Sequence, residues 1–491
     1  MIYHCEDHTC NYWDEGEKLP ERCPQCGRKL LRANEADMTG DDWTALGNTL
    51  WDAEASDKKR MVDCFRKAAY LGSAWGVCNL GICMEQGNGV EADPVQAFWL
   101  YQQAVEMGSL NAVCCLGVCY QYGIGTAPDA KQAAELYCKA AEYGSPRGQM
   151  LLARAFHDGI GVEADAAEAV YWVRAAAYQR YGEGMHRLGV CYEYGDGVEQ
   201  NWERAVHWFR EAAESGVGVA MTDLGYCYEK GCGVEQNWQE AIKWYEQGAQ
   251  CGNLQSMHNL ACCYEHGEGV EQNMTEAIRW YTAAAEGGNA DDMYELGWQY
   301  DHGEGVEQDM KKAICWYERA AEQNHPAAMN SLGECYAMGR GVPRDLETAM
   351  EWYRRAAELG EAMADYNMGW HLEQAGKLSE AYTHYRKAAD GNDDSAWWAL
   401  GRFYENGVVV AQDGKEARRC YETGEKLGSV KCKMRLARCK LLGIGGRRAK
   451  KAGLDLCRQA LELAKESSEK EDYGYEAEMN LLRRTIAENE S

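Results

Sequence analysis

A 36-residue period governs this chain. Gly follows Leu or Met at Gly81, Gly117, Gly189, Gly225, Gly297, Gly333 and Gly369, and Ala153 and Ala261 fill the two gaps at the same step. Looser copies at Gly47, Gly401 and Ala437 bring the count to 12. Self-similarity at such a period marks a stacked-repeat architecture, in which each unit buries its apolar face only against its neighbours. A chain of 491 residues is too long for one compact core, and an array needs none.

The unit running from Ala220 to Gly252 shows how one copy folds. Ala220, Leu224 and Tyr228 recur at helical spacing and define one face of a first helix. Gly231 and Gly233 end it, since a residue at positive φ commonly closes a helix. Asn237 is placed to cap the second helix, with Glu240 three residues on completing a capping box. Asp93 followed by Pro94 repeats the signal with proline in the first turn. Ala241, Trp244, Tyr245 and Ala249 form the apolar stripe of the second helix. Trp172, Trp208, Trp244, Trp280, Trp316 and Trp352 share one phase, which predicts a spine of tryptophans along the second helices. Cys83, Cys119, Cys191, Cys227, Cys263, Cys335 and Cys439 also share a phase and read as small core residues rather than a metal relay.

The recurring pattern A-x3-LG-x2-Y-x2-G-x-GV-x2-[ND]-x3-A-x2-WY-x3-A-x2-G resembles the Sel1-like repeat, a relative of the tetratricopeptide repeat, over roughly residues 43 to 460. The resemblance implies an all-α fold: a right-handed α-solenoid of about 12 helix-pair repeats of 36 residues, with the first helices on the concave face. It also implies a non-catalytic scaffold that assembles protein complexes. Secreted, cysteine-rich relatives carry a paired-Cys disulfide in nearly every repeat and are linked to β-lactam binding. Here only Cys432 and Cys439 suggest a pair, so a cell-wall or β-lactam hydrolase stands as the weaker alternative. The end copies are irregular, as caps of such arrays are. The organisation expected is a metal module over 1–34, a linker over 35–42, the repeats over 43–460 and a C-terminal capping helix over 461–491.

The module at the start is read from Cys5, Cys10, Cys23 and Cys26, spaced C-x4-C-x12-C-P-Q-C-G. Four thiolates on two loops supply a closed tetrahedral shell for zinc or iron. The stretch resembles a rubredoxin-like zinc ribbon, with a first loop two residues longer than usual, and His8 is the alternative ligand in place of Cys10. One structural zinc ion is the expectation. Iron at this site would make the chain a redox protein instead, although no second redox centre is legible in it. A segment of some 30 residues cannot build an adequate core, so a bound metal would hold it.

Charge and composition narrow the remaining options. The net charge of −27 argues against a nucleic-acid backbone as partner and favours basic ones by steering. No stretch approaches the length of a membrane span, and the first residues carry no secretory pattern. The 23 cysteines then suit a reducing, cytoplasmic setting. Nucleophile-elbow, zinc-protease and phosphate-loop motifs are absent, and Gly195-Asp-Gly197 and Gly267-Glu-Gly269 punctuate helices.

The working surface is expected on the first helices, at positions three before, one after and four after the repeat glycine. These include Thr222, Tyr226 and Glu229; His258, Cys262 and Glu265; Tyr294, Trp298 and Asp301; Asn330 and Glu334. The series continues with Tyr366, Trp370 and Glu373, then Trp398, Arg402 and Glu405. Aromatic rings beside amides and carboxylates suit a groove for a protein or peptide with basic or aromatic residues. Asn79, Asn259 and Asn367 share another phase, from which they would hold a partner's backbone.

Overall fold

The computed structural model describes residues 2–5, 13–15, 30–32, 35–51, 55–470 and 475–490. Three short strands come first: β1 (Ile2–Cys5), β2 (Trp13–Glu15) and β3 (Leu30–Arg32). They pair antiparallel in the order β2-β1-β3, with Ile2 opposite Glu15 and Cys5 opposite Leu30. Every described element after them is a helix.

The chain divides into two compact units, Met1–Ser256 and Met257–Ser491. In the first, helices alternate as α1 (Gly40–Thr49), α2 (Ala55–Tyr70), α3 (Ala74–Gln86), α4 (Pro94–Glu106), α5 (Leu110–Tyr122) and α6 (Ala130–Glu142). They continue as α7 (Pro146–Asp158), α8 (Ala166–Tyr178), α9 (Gly182–Tyr194), α10 (Trp202–Glu214), α11 (Gly218–Lys230) and α12 (Trp238–Gln250). The division falls inside α13 (Leu254–His266), which α14 (Met274–Glu286), α15 (Ala290–His302), α16 (Met310–Glu322), α17 (Pro326–Met338) and α18 (Leu346–Glu358) follow. The second unit ends with α19 (Ala362–Gln374), α20 (Leu378–Asp390), α21 (Asp394–Asn406), α22 (Gly414–Lys426), α23 (Val430–Leu442), α24 (Lys450–Lys470) and α25 (Glu476–Glu490). Odd-numbered members through α23 are first helices and even-numbered ones second helices. The chain therefore closes on two helices rather than one capping helix, and α24 runs through the expected boundary at residue 460. Arg435 clasps α25 to α23 through two hydrogen bonds to the buried Glu478, at 2.5 and 2.6 Å.

Local chemistry sets the helix ends. Asn237 accepts from the backbone N–H of Gln239 and Glu240 at the start of α12. The Glu240 carboxylate turns to Lys243 at 3.2 Å rather than back to the cap. Asp93 caps α4 ahead of Pro94, as its sequence indicates. Gly231 closes α11 at φ 72°, and Gly233 follows at φ 69°. A Cβ on Gly233 would also stand 2.5 Å from the Trp202 backbone, so this loop docks against the preceding repeat through a glycine.

The core differs from the tryptophan spine the sequence suggests. Of those tryptophans only Trp244 is buried; Trp280, Trp316 and Trp352 are half-buried, with an arginine over each ring. The enclosed rings belong to the next residue: Tyr101, Tyr137, Tyr245, Tyr281, Tyr317 and Tyr353 are at most 2% exposed, as are Tyr385 and Tyr421. Most repeat glycines lie flat against one of them, while Gly47 and Gly189 meet Phe65 and Phe209 instead. A Cβ on Gly117, Gly225, Gly297 or Gly333 would sit 2.5 Å from the tyrosine ring of its own repeat. Several phenol hydroxyls donate to a residue on the facing first helix, Tyr101 to Glu85 (2.6 Å), Tyr245 to Glu229 (2.7 Å) and Tyr421 to Glu405 (2.8 Å). The wider indole is left to the rim because the narrow slot beside a glycine fits a six-membered ring.

The in-phase cysteines are buried, at no more than 2% exposure. Burial pushes Cys83 up to about 11 and Cys119 to about 12, so neither is a thiolate near neutral pH. Cys432 and Cys439 are free thiols.

Candidate functional site

Several pairs of consecutive first helices touch one another, α3 with α5 and α5 with α7 in the first unit, α15 with α17 and α21 with α23 in the second. No pair of consecutive second helices comes as close among the described residues. The first helices therefore line the inside of each unit's curve, and the side chains facing away from the tyrosine spine form the candidate surface.

In the second unit this surface holds two kinds of aromatic residue. Tyr294, Tyr366 and Trp398 are half-buried and pack on the core. Tyr294 stacks on His325 at 4.9 Å, and Arg402 lies over the Trp398 ring at 4.6 Å. Trp298 and Trp370 stand differently. Trp370 is 38% exposed, and Trp298 is half-buried with His302 stacked on it at 4.3 Å. In the first unit Tyr226 is also exposed, at 44%.

Polar groups between these rings bond to one another. Asn367 donates to Asn330 (3.0 Å) and to Glu334 (3.1 Å), and Arg340 donates to Asp301 (2.9 Å). Asn79 is 6% exposed, with its amide on Asn48 at 2.8 Å, while Asn259 is half-buried. Glu229, Glu265, Glu373 and Glu405, expected on the open face, receive the spine hydroxyls instead. Their role is inward because a buried phenol needs an acceptor.

One cluster has the order of a nucleophilic site. His258 reaches Asp292 through Nδ1 at 2.7 Å, and its Nε2 lies 3.6 Å from the Cys262 thiol. The hydrogen bond to buried Asp292 raises His258 to about 10, helped by the bond to Cys262, so the ring is held as a cation. Cys262 sits in mid-helix, where neighbouring backbone N–H groups belong to the helix ladder and cannot stabilise an oxyanion. Similar His–Asp links recur at His186–Asp223 (2.6 Å) and His384–Asp365 (2.7 Å). The cluster thus reads as a charge-assisted bridge between helices.

One departure from the repeat lies in the first unit, where the sequence singles out Ala153 and Cys191 but no site. A pocket of about 430 Å³ opens beside α7, α8 and α9. Met150, Arg154 and His157 line it from the three inner-face positions of their repeat, and Ala153 and Val173 lie beneath. The signal was present in the sequence: Ala153 replaces the repeat glycine, Val173 the spine tyrosine and His157 the hydroxyl acceptor, all in one copy.

Of the metal ligands expected, Cys10, Cys23, Cys26 and the alternative His8 lie outside the described residues, and only the backbone of Cys5 is described. No group of three or more His, Cys, Asp or Glu arranged to hold a metal occurs among the described residues. Nor is any described helix long and apolar enough to cross a membrane.

Ten stretches match the Sel1 repeat, spanning 76–109, 112–145, 146–181, 182–217, 218–253, 254–289, 290–325, 326–361, 362–393 and 396–429. A solved protective antigen of uropathogenic Escherichia coli strains, described as displaying an SLR fold, is 30% identical with a TM-score of 0.57. That match covers 87% of this chain and 94% of the antigen. A Sel1 repeat protein from Oxalobacter formigenes is 28% identical over 60% of this chain and 86% of its own, with a TM-score of 0.45. Comparison with curated proteins returns no match. With matching copies across most of its length, the chain belongs to the Sel1 repeat family.

Proposed function

We propose that this protein is a non-catalytic scaffold that captures a partner polypeptide on the inner face of its first helices. The observation carrying this reading is the pair Trp298 and Trp370. They share one repeat phase, two copies apart; Trp370 is exposed and Trp298 half-buried under His302, while the spine rings beside them are enclosed. Large aromatic side chains at the bottom of a curved face are the usual anchors of peptide recognition. Sel1 and tetratricopeptide-like repeats commonly serve protein–protein interaction, and the net charge of −27 favours a partner with basic segments.

Trp298→Ala combined with Trp370→Ala is expected to abolish partner capture, with the melting temperature barely changed. Affinity purification with mass spectrometry, followed by calorimetry on the partner found, measures the first effect, and thermal denaturation the second. In contrast, Trp244→Ala removes a buried ring and is expected to cost about 3–5 kcal/mol of stability. A double variant that melts far below wild type would place both rings in the core and remove the basis of the reading.

The N-terminal cysteines are read as a zinc module that adds a second docking element. Their spacing supports it, and so does the three-stranded sheet, which sets Cys5 opposite Leu30, four residues after Cys26 in sequence. Buried free thiols such as Cys432 and Cys439 support a reducing, cytoplasmic setting.

A further inference from the structure

We propose that the pocket beside α7, α8 and α9 is a subsite for one tyrosine side chain of a partner protein, filling the place where the chain omits its own spine ring. The proposal rests on the protein-binding reading above and deepens it.

The argument starts from the slot as it appears in the sister repeats. In several of them a tyrosine from the second helix lies flat on the repeat glycine and donates its hydroxyl to a side chain four residues after it, as Tyr101 does to Glu85, Tyr137 to Gln121 and Tyr245 to Glu229. In this copy all three elements change together. Val173 is too short to reach across, Ala153 closes part of the floor, and His157 takes the acceptor position. What is left is an opening of about 430 Å³ beside the position that a ring holds in the sister repeats, more than enough room for a phenol.

The walls suit a phenol. Ala153, Val170 and Val173 give an apolar floor buried to 3% exposure or less. His157 holds two carboxylates at the rim, Asp158 through Nδ1 at 2.6 Å and Asp196 through Nε2 at 3.2 Å. Arg154 also pairs with Asp158 at 3.3 Å and Arg187 with Asp196 at 3.6 Å, and each carboxylate still keeps lone pairs for a donor, so the site repeats the sister arrangement of apolar slot and hydroxyl acceptor with the ring left to be supplied from outside. Arg154, which lines the pocket, holds the same repeat phase as Trp298 and Trp370, so the pocket opens on the kind of face proposed to receive a partner.

The test uses p-cresol, the side chain of tyrosine, on the full-length protein with labelled methyl groups. Saturable shifts are expected at the Val170, Val173 and Met150 methyls, with a dissociation constant on the order of a millimolar for so small a ligand. Toluene, lacking the donor, should bind several-fold more weakly. Val173→Tyr with Ala153→Gly rebuilds the sister slot and should weaken p-cresol at least tenfold while keeping the helical circular dichroism. Absence of saturable shifts at those methyls in wild type overturns the proposal whether or not the rebuilt variant folds. So does equal binding by a folded rebuilt variant. Neither result bears on Trp298 and Trp370, so the scaffold reading can survive the loss of this subsite.

Discussion

Gly333 fixes how closely α17 can approach α18, because its missing side chain is what lets the Tyr353 ring lie against the helix. A methyl there would stand 2.5 Å from the ring. Gly333→Ala is expected to destabilise by about 1–3 kcal/mol through overpacking. In a Tyr353→Val background the same change should become neutral or stabilising, since alanine is the better helix former by about 0.5–1 kcal/mol. Urea titration of the four proteins in this cycle measures the coupling, and additive effects would deny the contact. The natural Ala261 beside Tyr281 shows that a methyl can be accommodated, which keeps the expected cost moderate. Gln299 makes a second case. It occupies the column of buried cysteines, is fully enclosed, and its amide has no hydrogen-bond partner. Gln299→Met keeps the volume and removes the unpaired dipoles, so it should raise stability by about 1–2 kcal/mol. A lower denaturation midpoint would show that the amide is satisfied in solution.

Between elements, the His258–Asp292 bridge ties α13 to α15 and carries a pH dependence of definite sign. The folded histidine is raised to about 10, above its ordinary value near 6.5, chiefly by the hydrogen bond to Asp292. Its contribution is therefore complete below about pH 6.5 and disappears as pH rises through about 10. The stability advantage of wild type over His258→Gln should shrink across that window, read by denaturation at a series of pH values. A constant difference from pH 6 to 10 would show that the bridge does not depend on the imidazolium. The cysteine columns behave differently, because burial favours the neutral thiol and leaves no charge to lose near neutrality.

At the scale of the whole molecule, each repeat contacts mainly its neighbours, so damage at one end should stay there. Cys23→Ser or Cys26→Ser is expected to release one zinc ion per chain while the helical circular dichroism persists. Metal analysis of the purified protein provides the first reading, and a red, reducible protein would show iron in place of zinc. Wholesale loss of helicity would show that the N-terminal segment and the repeats unfold as one unit.

The repeat length, the number of helix pairs and the loop glycines were legible in the sequence, because a 36-residue period and helix-ending Gly-x-Gly runs are local signals. The assignment of the spine was not. Trp and Tyr stand side by side in the second helix, a difference of 100° around its axis, and only the width of the slot beside each glycine decides which ring is enclosed. The acidic residues four places after the glycine looked solvent-facing for the same reason, since their acceptor role depends on a hydroxyl brought from another helix. The pocket in the fourth helix pair left three departures in the sequence, at Ala153, His157 and Val173, spaced 4 and 16 residues apart. Sequence by itself determined the repeating helix pair, through spacing and capping. Packing alone made those three departures one site, because close packing turns a missing ring into a defined volume.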